Sequence, residues 1–259
     1  MQKTKIEWAD MTWNPVTGCL HDCPYCYAKR QTQRFGGYWM QCRGENLIQD
    51  DGKLHELGTP KLYECKNGDL HNASYPYVFS PTFHRYRLDE PAKKKNPQNI
   101  FVCSMADLFG EWVPDKWIEE VFEACEKAPQ HRYLFLTKNP KRLIDLNRNN
   151  ILPLTKNFWF GTTITSDGYF FSGDRNIFLS IEPIMSEFGD CENITKNFIQ
   201  WVIIGAETGN RKGKIIPQKE WIERIVYTCL EYEIPIFMKN SLKDIWGEPL
   251  IQEYPWKGK

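Results

Sequence analysis

Three cysteines on one short stretch, Cys19, Cys23 and Cys26, have the types and the spacing to do chemistry. They lie in TWNPVTGCLHDCPYCYAKR, residues 12–30, directly after a short strand-like run. Three thiolates on one tight loop can hold three irons of a 4Fe–4S cube and leave the fourth iron without a protein ligand. Four-cysteine spacings suit a closed, electron-transferring cluster, whereas three leave a position where a small molecule can bind. Zinc is the competing reading, with Cys23-Pro-Tyr-Cys26 as half of a knuckle. The other half would have to come from the single residues Cys42, Cys65, His21, His55, His71 and His84, which form no second C-x2-C or H-x3-H pair.

The elements that must position these thiols read as an α/β chain. Residues 12–16 form a first strand and 27–35 a short helix carrying Lys29, Arg30 and Arg34. From 36 to 75 Gly, Asp and Asn accumulate. The turn signal Asp50-Asp51-Gly52-Lys53, flanked by 46–49 and 61–65, predicts a β-hairpin inserted after the first βα unit. A Pro/Lys linker at 91–97 precedes a regular alternation. Apolar runs of strand length occur at 99–104, 132–137, 158–162, 177–180, 201–204 and 234–238. Between them, 115–127 is an amphipathic helix with Trp117, Ile118, Val121, Phe122 and Cys125 on one face, and 140–147 is a short helix opened by Pro140. The segment 218–231 is a second amphipathic helix, apolar at Trp221, Ile222, Ile225, Val226, Cys229 and Leu230. Near-continuous apolar strands alternating with helices imply a parallel sheet covered by helices. A β/α barrel, partial or complete, and a doubly wound open sheet both satisfy that pattern. Either would be a single domain over residues 1–259 with 36–75 inserted.

Polar groups follow almost every apolar run: Ser104 and Asp107, Thr137 and Lys138, Thr162 and Thr163, Ser180 and Glu182, Glu207 and Thr208, Lys239 and Asn240. In β/α barrels the C-terminal strand ends form the mouth of the active site. Lys138 and Glu182 are the sharpest of these, because a carboxylate and an ammonium are costly to desolvate without a role. An ion pair that merely ties two strands together is the alternative.

Composition narrows the classes. Hydrophobic residues make up 41% of 259, enough for a sizeable core. No apolar run approaches a membrane span, and residues 1–10 do not read as a signal peptide. Nine cysteines without such a signal point to a reducing cytoplasm. Balanced charge, 33 basic against 33 acidic residues, argues against a protein built to coat nucleic acid. Local groups of Arg30 and Arg34, Arg85 and Arg87, and Arg211, Lys212 and Lys214 could still hold phosphates.

The C-x3-C-x2-C spacing, Tyr25 just before the third cysteine and the helix-like segment after it resemble the radical S-adenosylmethionine superfamily. The resemblance implies a partial (β/α)6-type TIM barrel and two cofactors, a 4Fe–4S cluster and S-adenosylmethionine. In that superfamily the open iron is chelated by the methionine moiety. One electron then cleaves the sulfonium, and the resulting 5′-deoxyadenosyl radical abstracts a substrate hydrogen. Cys19, Cys23 and Cys26 would ligate the cluster, and the Tyr25 backbone would contact adenine. Ser104-Met105-Ala106-Asp107 stands where the superfamily commonly holds the amino group of S-adenosylmethionine, without the usual GGE. Thr137, Thr162 and Lys239 would complete the cofactor site, with Lys138, Glu182 and Glu207 as catalytic groups.

A narrower resemblance covers most of the chain apart from 36–75. The strings TWNPVTGC, FVCSMADLFGEWVP, LFLTKNPKRL, FLSIEPI, WVIIGAETG and IPIFMKNSL are similar to a phage-associated radical S-adenosylmethionine family of unknown function. That family neighbours three-Cys-motif partner proteins and is distantly like spore photoproduct lyase, which repairs thymine dimers. Here GAETG replaces the usual GGESG, keeping the carboxylate, and KNSL replaces KQWG, removing an amide length and an aromatic. The resemblance implies a nucleobase, nucleotide or modified DNA base as substrate, and an electron donor of the flavodoxin or ferredoxin type. The contrasting class is a metal- or cluster-stabilised nucleic-acid-binding or redox-sensing protein without catalysis.

Overall fold

The structure is a computed structural model that describes residues 1–39, 50–64, 67–189, 194, 199–247 and 249–257. Cys42, Cys65 and residues 46–49 lie outside the described residues. The chain forms two compact units, Met1–Lys5 with Ala9–Tyr133, and Ile6–Trp8 with Leu134–Lys259.

In the first unit the elements run β1 (Gln2–Lys3), β2 (Met11–Trp13), β3 (Val16–Thr17), α1 (Tyr27–Trp39), β4 (His55–Leu57), β5 (Leu62–Glu64), β6 (Leu70–Asn72), β7 (Thr82–His84), β8 (Asn99–Val102) and α2 (Asp115–Glu126). β2 pairs parallel with β8, Met11 facing Ile100 and Trp13 facing Val102, while β1 adds antiparallel to β2. The predicted first strand is broken in two at Asn14-Pro15. Pro15 has no N–H for a ladder, and its carbonyl instead accepts from His84 N at 2.7 Å. β3 therefore leaves the main sheet and pairs antiparallel with β7, which pairs parallel with β4.

One arm of the predicted hairpin, residues 46–49, lies outside the described residues. Its other arm holds β5, which pairs antiparallel with β6, Leu62 facing Asn72, with Gly68 at φ 87° in the turn. Asn67-Gly68 supplies the left-handed turn conformation, the stronger hairpin signal in this stretch. Asp50 and Asp51 instead accept from the Ser80 hydroxyl, which in turn accepts from Gly52 N at 3.1 Å. Those carboxylates brace the segment before β4. α2 buries Trp117, Ile118, Val121, Phe122 and Cys125, the expected face. Each large apolar side chain so removed from water stabilises by about 1.5–3 kcal/mol.

In the second unit, β10 (Phe158–Ile164), β11 (Asn176–Ile181), β12 (Trp201–Ile204) and β13 (Ile236–Met238) follow β9 (Arg132–Thr137), whose first two residues belong to the first unit. β10 to β13 pair parallel, each with the next. β12 and β13 are buried along their whole length, as strands covered on both faces must be. Gly161 in β10 is demanded by packing, since a Cβ there would lie 2.4 Å from the Phe178 ring. α3 (Pro140–Arg148) begins with proline at its first position, where the missing N–H costs nothing. α4 (Lys219–Glu231) seats Ile222, Ile225, Val226 and Cys229 in the core with Ile204, Ile236 and Met238. Leu230, expected on that face, is 51% exposed because it lies a turn's edge away from the buried stripe. A short α5 (Lys243–Trp246) adds Trp246 to the same core.

The architecture is thus mixed α/β with parallel strands and covering helices, and no closed barrel occurs among the described residues. Among these residues no helix is long and apolar enough to cross a membrane.

Candidate functional site

The three-thiol loop begins where β3 ends. Gly18 stands at φ 85°, and a Cβ there would lie 2.3 Å from the Ser80 carbonyl oxygen and 2.5 Å from that of Phe79. Only glycine passes through that conformation and that gap. The loop is then tied by Gly18 N donating to Met105 O at 2.9 Å and Cys19 N to Phe79 O at 3.1 Å. Beneath it, buried His84 joins β7 to β3 through Thr17 Oγ1 at 2.9 Å. Asp22, at φ 51°, turns the chain and pairs with Lys29 of α1. Cys26 N donates to Cys23 O at 3.0 Å, and Lys29 N donates to Cys26 Sγ at 3.3 Å. Cys26 therefore stands immediately before α1, whose first backbone N–H groups lack intrahelical partners.

Cys19, Cys23 and Cys26 are half-buried thiols outside any disulfide. The Cys19 thiol is pushed up to about 12, first by burial, with Asp107, Cys23 and Cys26 adding as neighbouring anions and a hydrogen bond from the His21 backbone opposing them. A Cys19 thiol whose charged form is disfavoured by burial and by neighbouring anions is one whose thiolate a cationic group would stabilise. Among the described residues no three His, Cys, Asp or Glu side chains gather as ligands of one metal ion. A cube places its three protein thiolates on three separate irons and does not require them to meet at one point. Three thiols on one short loop are a donor set of the kind an iron–sulfur cluster takes.

The loop after β8 forms the other wall in this unit. Ser104, expected to touch a cofactor, donates its hydroxyl to Asn14 Oδ1 at 3.2 Å, and its carbonyl accepts from the Tyr27 hydroxyl. Asp107 is buried and already engaged: Oδ2 meets His21 Nε2 at 2.8 Å and Oδ1 accepts from Phe109 N at 3.0 Å. Tyr25 is half-buried beside the third cysteine. Sequence reasoning treated His21 only as a stray zinc ligand; its place two residues after Cys19 was the available signal. Asn14, which also accepts from Met105 N at 3.0 Å, and Trp112, whose ring meets His21 edge-on at 4.9 Å, were missed.

In the second unit the strand ends gather a different set. Glu182, after β11, pairs with Lys239, after β13. Gly205, after β12, has its Cα side against both: a Cβ would lie 3.1 Å from Lys239 Cδ and 3.3 Å from the Glu182 carboxyl carbon. Ala206 N donates to Ser241 Oγ at 3.0 Å. Glu207 is buried and takes a two-pronged pair from Arg211, Nε and one terminal nitrogen each at 2.7 Å. Lys138 is half-buried at the end of β9. Thr137 and Thr162 are buried with local duties, accepting from Asn139 N at 2.9 Å and Phe171 N at 3.2 Å. The ion-pair partner of Glu182 is thus Lys239, whereas the alternative weighed from the sequence paired it with Lys138.

Three of the arginines read as phosphate holders are engaged within the chain. Arg85 is gripped by Glu120 at 2.9 and 3.0 Å and by Glu56. Arg87 donates to Asn14 O at 2.9 Å and Ser74 O at 3.2 Å, and Arg211 holds Glu207. Arg30, Arg34 and Lys212 are exposed.

Fold and site define a mixed α/β protein with a braced three-thiol loop in one unit and paired charges at the strand ends of the other. The chain belongs to the family described as "Protein of unknown function (DUF5131)", whose model matches residues 3–248. No curated protein matches it. Two solved chains of spore photoproduct lyase, a Cys-to-Ser and a Tyr-to-Phe mutant, are similar at 12% and 11% identity. Each alignment covers 92% of this chain and 78% of the lyase, with a TM-score of 0.49.

Proposed function

We propose that this protein is a radical S-adenosylmethionine enzyme built on a partial (β/α)6-type barrel. The observation that carries the reading is the loop of Cys19, Cys23 and Cys26. Its three thiols stand between a strand end and a helix start, on backbone that only Gly18 permits. Those cysteines would hold a 4Fe–4S cluster with one iron open to S-adenosylmethionine. When bound, the two groups supply one-electron cleavage of the sulfonium and hydrogen abstraction from a substrate.

The chain's own residues orient and shield. Phe79 and Met105 fix the loop backbone. Tyr25 and Ser104 flank the cofactor. Thr137, Thr162 and Lys239 would complete the cofactor site, with Lys138, Glu182 and Glu207 as the catalytic groups. The string resemblance favours a nucleobase, nucleotide or modified DNA base as substrate, in a phage-associated setting. An acidic flavodoxin- or ferredoxin-type donor and a three-Cys-motif protein are the partners it implies, in the cytoplasm.

The test is anaerobic incubation of reduced protein with S-adenosylmethionine, reading 5′-deoxyadenosine. Deuterated nucleosides, nucleotides and oligonucleotides then report transfer of label into it. Formation of 5′-deoxyadenosine that stops in Cys23→Ala supports the reading. Iron-loaded, reduced protein that leaves S-adenosylmethionine intact with every substrate contradicts it.

A further inference from the structure

We infer that Asp107 acts as a positioning residue: through His21 it clamps the three-thiol loop onto the loop that follows β8. The inference deepens the proposed function, on which it rests for the identity of the bound group.

The geometry is that of a clamp. His21 lies between Cys19 and Cys23, so whatever holds its side chain holds the middle of the donor loop. Its Nε2 meets Asp107 Oδ2 at 2.8 Å. Its ring stands edge-on to Trp112, centroids 4.9 Å apart. Asp107 is itself immobilised, because its second oxygen accepts from Phe109 N at 3.0 Å and its side chain is only 6% exposed. Trp112 is seated over Gly110, where a Cβ would lie 2.4 Å from the indole. The loop after β8 is thus a rigid wall, closed further by Gly110 N donating to Asp107 O at 3.2 Å and Val113 N to Gly110 O at 3.0 Å.

Backbone ties hold the loop at one end, through Gly18 and Met105, and α1 holds it at the other. Between these anchors His21 supplies a side-chain bond from the loop to the wall. A buried carboxylate hydrogen-bonded to an imidazole is a strong tie, since bonds to a charged group exceed neutral ones. Each carboxylate oxygen carries one of these bonds. The influence of Asp107 on a cluster passes through His21, as outer residues tune metal ligands elsewhere.

Two substitutions separate the hydrogen bond from the ring. His21→Gln keeps a donor where Nε2 stood, whereas His21→Phe keeps a ring against Trp112 and removes the donor. In the full-length, cluster-free chain, maleimide labelling of Cys19 is followed by mass spectrometry, with buried Cys125 and Cys229 as references for global opening. Losing such a bond should raise the Cys19 rate about tenfold or more in His21→Phe. His21→Gln should stay within about twofold of wild type. After reconstitution, iron release to a chelator should follow the same order. A Cys19 rate in His21→Phe equal to wild type overturns the clamp, and so does a His21→Gln rate equal to that of His21→Phe. If Cys125 and Cys229 also become reactive in His21→Phe, Asp107→Asn takes its place under the same two criteria. Should wild type take up no iron, the cluster reading fails, and labelling still decides the clamp.

Discussion

The ammonium of Lys239 pairs with the carboxylate of Glu182 above Gly205, and the missing Cβ at that glycine leaves the room for it. Gly205 also joins the strands through its backbone, donating to Ile181 O at 3.2 Å and accepting from Ile184 N at 2.9 Å. Lys239 N donates to Ile204 O at 3.0 Å. The pair therefore clasps the ends of β11, β12 and β13, and it is also where a substrate-facing charge was expected.

The clasp predicts coupled stabilities. Glu182→Gln and Lys239→Met should each lower stability by about 1–3 kcal/mol, because each leaves a largely covered charge without its partner. The double variant should lose less than the sum, by about 0.5–2 kcal/mol. Urea unfolding of all four proteins measures the coupling. Strict additivity would remove the structural role and leave only the catalytic one.

Gly18 and Gly52 make a matched test of the thiol loop. Both have positive φ, 85° and 64°, but a Cβ at Gly18 meets the Ser80 oxygen at 2.3 Å and one at Gly52 meets nothing within 4 Å. Gly52→Ala should cost only the left-handed strain, about 1–2 kcal/mol. Gly18→Ala should cost upwards of about 3 kcal/mol and lose iron binding, since backbone must move to admit it. Equal melting temperatures for the two would show that the loop is not braced at Gly18.

His84 predicts acid sensitivity. Its folded value is lowered from 6.5 to about 2, chiefly by burial and secondarily by the Arg87 guanidinium. The unfolded chain therefore binds a proton below pH 6.5 that the folded chain refuses, so stability is intact above that pH and falls toward about 2. At pH 4 the loss should be about 1–3 kcal/mol. His84→Gln, which can keep a bond to Thr17, should flatten the decline between pH 6.5 and 4. An unchanged slope would mean that His84 is protonated in the fold.

Much of the core was legible because period and burial agree: α2 and α4 bury nearly the faces their spacing gives, and the apolar runs after residue 157 are parallel strands. Asp50-Asp51-Gly52 reads locally as a turn, whereas its bonds to the Ser80 hydroxyl, 28 to 30 residues away, could not be read from spacing, nor could the pairing of β5 with β6. The break at Asn14-Pro15 was visible in the proline, yet β3's new partner, β7, was not. At the site, residue types pointed to the cysteines. Which charges are engaged with one another, as Asp107 with His21 and Glu207 with Arg211, depends on contacts that spacing does not encode.

The central claim is that Cys19, Cys23 and Cys26 hold a cluster with one open iron, and metal counting on anaerobically reconstituted protein tests it most directly. Wild type should be brown, with about four irons and four sulfides per chain, and oxidation should release one iron first. Cys19→Ala, Cys23→Ala and Cys26→Ala should each lose the cluster, while Cys42→Ala and Cys65→Ala keep it. A colourless wild type holding one tightly bound zinc, lost equally in the Cys42 or Cys65 variants, would contradict it.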